Sequence, residues 1–292
     1  MIPALAQRLA GFLRQPGFQA AVPVLILLLI GFFGPLVLVA VFSFMPARSF
    51  KLDGGPTLEN YRFAFEQSYY LSLLRSFAFA AGTVAVLALV CYPVALGMAK
   101  LFGRYAGVLT LVMVLPLFVS ENVRLFGWVL FLLKGGGVLA GAAKAVFGIE
   151  LADMLYSNSA TLMGLAYVYL PFMLFPMVLG LSMVSRDVVE AASDLGASRW
   201  QIMREIELPL ALPGLLIGGL LTFVLSLGSL TESKVLGGSK VIMIAADIES
   251  AFTYGQNWPL GSALSVLLLV LAGGLVLVVL SKLNLDAILK RR

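Results

Sequence analysis

Few side chains in this sequence can do chemistry, and their types narrow what that chemistry is. The 292 residues include no histidine. That removes Ser-His-Asp and Cys-His catalysis, His-ligated metals and His-ligated haem together. Cys91 is the single cysteine, so neither an internal disulfide nor a cysteine-pair metal or iron–sulfur site can form. What remains is charge: 20 Lys and Arg against 15 Asp and Glu, 12% of the chain, where soluble proteins carry about 25%.

Two of these charges, Glu121 and Arg124, interrupt an apolar run from about 105 to 133. Ionisable residues inside a membrane span usually face a bundle interior or a water-filled cavity. On a helix starting near Gly107 they would lie roughly 20–25 Å along the axis, in the outer half of a core about 30 Å thick. Three residues apart, they can face each other on one side of the helix. Two roles are open: a self-neutralising pair that holds the helix, or Glu121 on a substrate path with Arg124 setting its orientation. Pro116 is placed to break the helix beside them. Glu232, Asp247 and Glu249 fall between two later spans. They are either part of a solvated loop partly cancelled by Lys234 and Lys240, or carboxylates at a pore mouth that attract a polycation. The apolar stretch 241–246 suits a short helix dipping into the outer face. Trp128, Tyr167, Tyr169 and Trp258 can offer ring faces to a cation or anchor at the membrane interface. The candidate path residues are therefore Glu121, Arg124, Trp128, Tyr169, Glu232, Asp247 and Glu249.

The elements that must position these residues are membrane helices. Stretches long enough to cross a bilayer predict six spans, near 21–44, 72–98, 107–133, 159–184, 209–230 and 261–281. The first apolar run is far longer than a signal-peptide core of roughly 7–15 residues, so it is expected to stay as a span. Ahead of it, Leu5, Leu9, Phe12 and Leu13 recur at helical spacing, which suits either a helix lying on the membrane surface or a basic tail. With the N-terminus inside, the inner segments hold eleven Lys and Arg and six acidic residues, against nine and nine outside. The inner side thus carries the whole net charge of +5, led by Lys100, Arg104 and the tail Lys290-Arg291-Arg292. Both termini are expected in the cytoplasm. Gly214, Gly218 and Gly219 would allow a close helix–helix contact, for which a second subunit is a candidate partner.

The segment 186–209 is too elaborate for a connector. Asp187 can cap a first short helix with Glu190 three residues on, Gly196 can end it, and Ser198 with Gln201 can cap a second. Pro209 suits the first turn of the next span. Val188, Ala191, Ala192 and Leu195, then Ile202, Met203 and Ile206, give each helix an apolar face. Two uses are open: a hairpin packed on its own bundle, or a docking element for a cytoplasmic partner.

Glu190-Ala191-Ala192, Gly196 after three residues, Ile206 after nine more and Leu208-Pro209 after one match every fixed position of a known pattern. They resemble the signature loop of the permease subunits of bacterial ABC importers, the EAA motif. The resemblance extends over nearly the whole chain, through Leu115-Pro116, Val123-Arg124, Trp128, Leu170-Pro171-Phe172-Met173, Gly237-Gly238-Ser239-Lys240 and Trp258-Pro259-Leu260-Gly261-Ser262-Ala263. It runs most strongly toward the spermidine/putrescine-type branch, from which Ser120-Glu121-Asn122 departs.

The resemblance implies an all-α integral membrane protein of the bacterial inner membrane, with the six transmembrane helices of the type I (MetI-like) permease fold. It implies a cytoplasmic segment 1–20, a permease domain 21–281 that includes the coupling loop 186–209, and a basic cytoplasmic tail 282–292. Glu190, Ala191, Ala192, Gly196, Ile206, Leu208 and Pro209 would seat in a pair of separate ATPase subunits. ATP and Mg would be held there, with no cofactor, metal or catalytic residue on this chain. A second permease subunit, a different protein, would complete the pathway in the lipid bilayer, and an external binding protein would deliver the solute. No nucleic acid is implied. The solute would be a polyamine, putrescine or spermidine; amino acids, opines, phosphonates, thiamine and ferric ion are the alternatives. The residues agree that ATP is not hydrolysed here: 237–241 lacks the spacing and the hydroxyl of a phosphate loop. A stand-alone secondary transporter would want two related halves with interrupted helices, and no duplication is evident. An intramembrane enzyme would need a Ser-Lys or Asp-Asp arrangement, and no Asp falls within a span.

Overall fold

The computed structural model describes residues 16–51, 54–134, 136–149 and 154–282. The N-terminal 1–15 helix expectation and the tail Lys290-Arg291-Arg292 lie outside them. Among the described residues every regular element is helical. In chain order these are α1 (Pro16–Phe42), α2 (Glu59–Glu66), α3 (Tyr69–Leu96), α4 (Tyr105–Val114), α5 (Glu121–Leu132), α6 (Val138–Phe147), α7 (Asn158–Ser182), α8 (Arg186–Asp194), α9 (Arg199–Ile202), α10 (Leu208–Leu227), α11 (Thr231–Val235), α12 (Ile244–Thr253) and α13 (Trp258–Lys282).

Among the described residues five helices are long and apolar enough to cross a bilayer: Ala21–Phe42, Tyr69–Leu101, Asn158–Ser182, Arg199–Leu227 and Trp258–Ser281. The sixth is broken. Residues Tyr105–Phe118 and Glu121–Leu132 meet at a bend of 99°. Pro116 tightens the end of the first half into a 3₁₀ turn, Leu115–Phe118, and Val119 is extended. Glu121 therefore opens a separate helix rather than standing midway along a continuous one.

The interior is made by α3, α7 and α10. Leu87, Leu165, Met173, Leu174, Met177 and Leu181 are buried there. The close approach of α7 and α10 depends on glycine. A Cβ on Gly214 would stand 2.3 Å from the Pro176 carbonyl, and one on Gly218 would stand 2.9 Å from that of Met173. These glycines are thus used inside the chain, against α7, and not against a second subunit. Without a hydrophobic drive between helices in lipid, such backbone proximity is what holds spans together. By contrast α1 exposes Leu27, Ile30 and Phe32 at 65–71%, as a lipid-facing helix does.

The two ends of the bundle differ. One, the loop face, carries 102–104 and 183–198. The far face carries α2, α6, α11 and α12, and side chains tie α2 to the end of α1 and α12 to α3. Asn60 Nδ2 donates to the Ser43 and Met45 carbonyls, and Ser76 accepts from the Ile244 amide at 2.8 Å.

Candidate functional site

On the loop face the sequence motif folds by local rules. The Ser185 hydroxyl, not Asp187 as the capping-box spacing predicts, accepts from the Asp187 amide and caps α8. Gly196 adopts φ +85°, and the Ala197 amide reaches back to the Ala192 carbonyl at 3.0 Å, closing the helix end. Ser198 and Gln201 form the expected reciprocal capping box. The second helix does not stop before the membrane. It runs through a π-helical segment, Met203–Glu207, into α10, so Arg199–Leu227 is one continuous rod. Ile206 and Leu208-Pro209 are therefore inside that rod.

The apolar side of the loop faces outward. Leu195 is 90% exposed and Trp200 65%, with Val188, Glu190, Ala191 and Gly196 also exposed. A hairpin packed on its own bundle would have covered them. Ala192 and Ile206 are half-buried and Ile202 is buried, which seats the other side on the spans.

Toward the far face a second group assembles from three elements. Glu121 begins α5, Tyr169 lies on α7 and Glu232 on α11. Glu232 is fully buried and Tyr169 nearly so. Ser229 donates to one Glu232 oxygen, and the other oxygen is buried without a partner. Tyr169 and Glu121 both stand close enough to act on the Glu232 charge. Burial raises the Glu232 carboxyl above the ordinary carboxylate range; the Ser229 hydroxyl opposes that rise, and the nearby Glu121 charge adds to it. Among the described residues no Lys or Arg forms an ion pair with Glu121 or Glu232.

The Glu121–Arg124 pair allowed by spacing is not made. The Arg124 guanidinium sits over the Tyr167 ring at 5.7 Å, with its Nε buried and unbonded. Both residues lie on α5 beyond the bend, but Glu121 occupies its first turn, where the exposed amides attract a carboxylate, while Arg124 turns toward Tyr167 on α7. Trp128 packs edge-on against Tyr167 at 5.6 Å. Arg124, Gly127, Trp128, Phe131 and Tyr167 line a cavity of about 330 Å³.

Asp247 and Glu249 do not join this group. Glu249 is paired with Lys234. Asp247 lies on α12 beside Ser72 and Arg75, at a separate cavity of about 210 Å³ shared with Arg48, Tyr69 and Asn257. Burial raises its carboxyl, against the opposing pull of Ser72 and Arg75. The three carboxylates of this segment thus separate into three environments. Sequence reasoning missed Ser229, although Ser-x-x-Glu over 229–232 is a readable helix-start spacing. It also missed Lys100 and Glu207, which meet across 107 residues and leave no local trace.

Residues 92–288 match the family described as binding-protein-dependent transport system inner membrane component. The spermidine/putrescine transport system permease protein PotB of Haemophilus influenzae is 31% identical over 254 residues, covering 84% of this chain and 86% of the relative. PotB of Escherichia coli strain K12 is 30% identical over 226 residues, covering 76% and 81%. Among solved structures, a bacterial alginate ABC transporter in complex with an alginate pentasaccharide-bound periplasmic protein superposes with a TM-score of 0.71 at 16% identity. That match covers 90% of this chain and 91% of its counterpart. With the signature loop in place, the helical bundle behind it and two-thirds of the chain matched, this protein belongs to the binding-protein-dependent transport inner membrane component family, as a multi-pass permease of an ABC importer and not an enzyme.

Proposed function

We propose that this permease imports a polyamine of the putrescine or spermidine class. The observation that carries the proposal is the pair Glu121 and Glu232, within electrostatic reach of one another and without an ion-pair partner among the described residues. An uncompensated buried carboxylate is costly, and a primary ammonium relieves that cost where an anion would increase it. A polyamine carries such groups at both ends of an apolar chain. Tyr169 offers a hydroxyl and a ring beside them, and the aromatic cavity next to α5 suits the methylene stem. The names of the PotB relatives support the same solute class.

In this reading the loop face is cytoplasmic, as are both termini. The exposed side of α8, with Glu190, Ala191, Gly196 and Leu195, seats in one of a pair of ATPase subunits that hold ATP and Mg. This chain binds no cofactor of its own. A second permease, a different protein, completes the pathway, and an external binding protein delivers the solute to the far face. ATP-driven closure of the ATPase pair draws the loops together and turns the spans from outward-open to inward-open. Asp247 and Glu249 act at most at the mouth: Glu249 is paired with Lys234, and Asp247 lies apart from Glu232, in its own cavity beside Arg75.

The test is uptake of radiolabelled putrescine and spermidine by cells with and without the gene, with thiamine, ferric chelate, phosphonate and amino-acid competitors. Loss of polyamine uptake on deletion is the expected result. Unchanged polyamine uptake would reject the solute class and assign the transporter to whichever competitor's uptake is lost.

A further inference from the structure

The loop face holds another pair of charges, used neither by the signature motif nor by the acidic group. Lys100 Nζ donates to Glu207 Oε1 at 2.7 Å. Both side chains are mostly buried, 15% and 10% exposed. Each stands in a π-helical turn. Gly97–Leu101 ends the second span, and Met203–Glu207 joins α9 to α10. Such turns are rare and are found disproportionately at functional positions. A cavity of about 410 Å³ lies between the end of the second span and the loop, lined by Leu96, Lys100, Val189, Arg199, Met203 and Glu207 among others. The ion pair bridges it. Arg186, the first residue of α8, reaches the Lys100 carbonyl at 3.5 Å, so both arms of the loop meet the same turn.

We propose that Lys100 and Glu207 form the joint through which movement of the signature loop passes to the second span. Movement of α9 reaches the fifth span along continuous helix. Deeper in the bundle α10 also packs on α3, but at the loop face the second span is reached across the cavity, and the buried pair is the charged link there. Separating two charges in surroundings of low dielectric is costly, so loop and span move as one body while the pair is made. The Tyr92 hydroxyl, buried near Glu207 without a partner, offers no competing bond in this geometry. Lys100 and Glu207 are positioning residues: they act through the helices they join, not by touching solute or nucleotide. The proposal rests on the coupling role of the loop given above.

The test uses the complete transporter, with its ATPase, second permease and binding protein, reconstituted in liposomes with spermidine as solute. The variants are Lys100→Glu, Glu207→Lys, the exchange of both, and the neutral pair Lys100→Met with Glu207→Gln. The readout is solute moved per ATP hydrolysed, with co-purification of the ATPase as the check of assembly. Each single reversal is expected to lower that ratio about tenfold in assembled complexes, and the exchange to restore it to within about threefold of the unmodified protein. Assembled reversals with an unchanged ratio would overturn the joint, as would an assembled exchange that fails to restore it. If the reversals do not assemble, the neutral pair decides: a lowered ratio supports the joint and an unchanged ratio overturns it. Glu190→Lys, measured alongside, separates the two ideas. If it uncouples while the 100 and 207 variants do not, the joint alone fails. If it too leaves coupling intact, the docking role of the loop fails.

Discussion

The signature loop and the acidic group around Glu232 are both defined by charged and polar residues, but they are built in opposite ways. In the loop the helix ends are satisfied within a few residues. Ser185 caps α8, Gly196 turns the chain, and Ser198 with Gln201 closes the next helix, while Leu195 and Trp200 stand in the open. In the acidic group the residues come from positions 121, 169 and 232, with Glu232 and Tyr169 buried and Glu121 half-buried. Polar atoms are left over there and in the adjoining aromatic cavity: one Glu232 oxygen and the Arg124 Nε are buried and unbonded. On the function proposed above, the surface that meets a protein keeps its shape locally and exposes apolar side chains, and the site that meets a charged solute hides unpaired polar atoms where water competes poorly.

That contrast can be broken first at the loop. Glu190→Lys places a cation where the family motif carries an acid, and transport is expected to fall roughly 30-fold or more, since a misplaced charge at an interface costs several kcal/mol. Gly196→Val should act similarly, because a β-branched residue is strained at φ +85°. Uptake together with ATPase activity checks both, and membrane levels should stay normal. Coupling that survives both changes would mean the exposed face is not a docking surface.

A smaller loss is expected at the acidic group. Glu232→Gln keeps the shape and the Ser229 contact but removes the charge, and polyamine uptake should drop about tenfold, the worth of roughly 1.4 kcal/mol of binding. ATPase assembly should be untouched, which is the sharpest separation of the two regions. Dose–response curves for uptake would show whether apparent affinity, rather than turnover alone, has changed.

The pH dependence is subtler and has a defined sign. The Glu232 carboxyl is raised by burial, so it takes up its proton at higher pH than an ordinary glutamate. The ionised, cation-binding form is therefore lost as pH falls through that raised value, and uptake should decline a few-fold on acidification. Stability should move the other way. The folded protein binds the proton more readily than the unfolded chain, so the protonated form favours folding and stability rises as pH falls through the same range. Thermal unfolding of the detergent-solubilised protein against pH measures this, and Glu232→Gln should flatten both trends. Parallel rather than opposite trends would assign the titration to another group.

Smallest of all, Ser198→Ala removes one cap and is expected to cost about 1 kcal/mol locally. Faster amide hydrogen exchange at Gln201, with uptake reduced less than twofold, would show that the loop tolerates loss of a single local bond. A large loss of uptake would mean that the capping box also orders the docking face.

Much of the loop was legible because its rules are short-range. The Ser198–Gln201 spacing, the helix-ending Gly196 and the fixed spacing through Leu208-Pro209 can each be read within a few residues. The cap of α8 was misplaced by two residues, since Ser185 and Asp187 are both competent and only geometry chooses. The continuity of α9 into α10 was not legible either. A π-helical segment preserves the helix while shifting its phase, which a periodicity of 3.6 does not anticipate.

The spans were legible because a bilayer demands long apolar runs and satisfied backbones, whatever the neighbours are. Pro116 marked the weak point of the third span, but its 99° bend was decided by packing of α5 on α7 and α11. The partners of the charges were decided by tertiary structure alone. Arg124 turned to Tyr167 instead of Glu121, Glu249 met Lys234, and Lys100 met Glu207 from the other side of the sequence. Apolar periodicity determines that a helix crosses and roughly where it ends. Which charge meets which depends on how helices pack against one another, and close packing through Gly180, Gly214 and Gly218 is a relation between helices that neither one carries by itself.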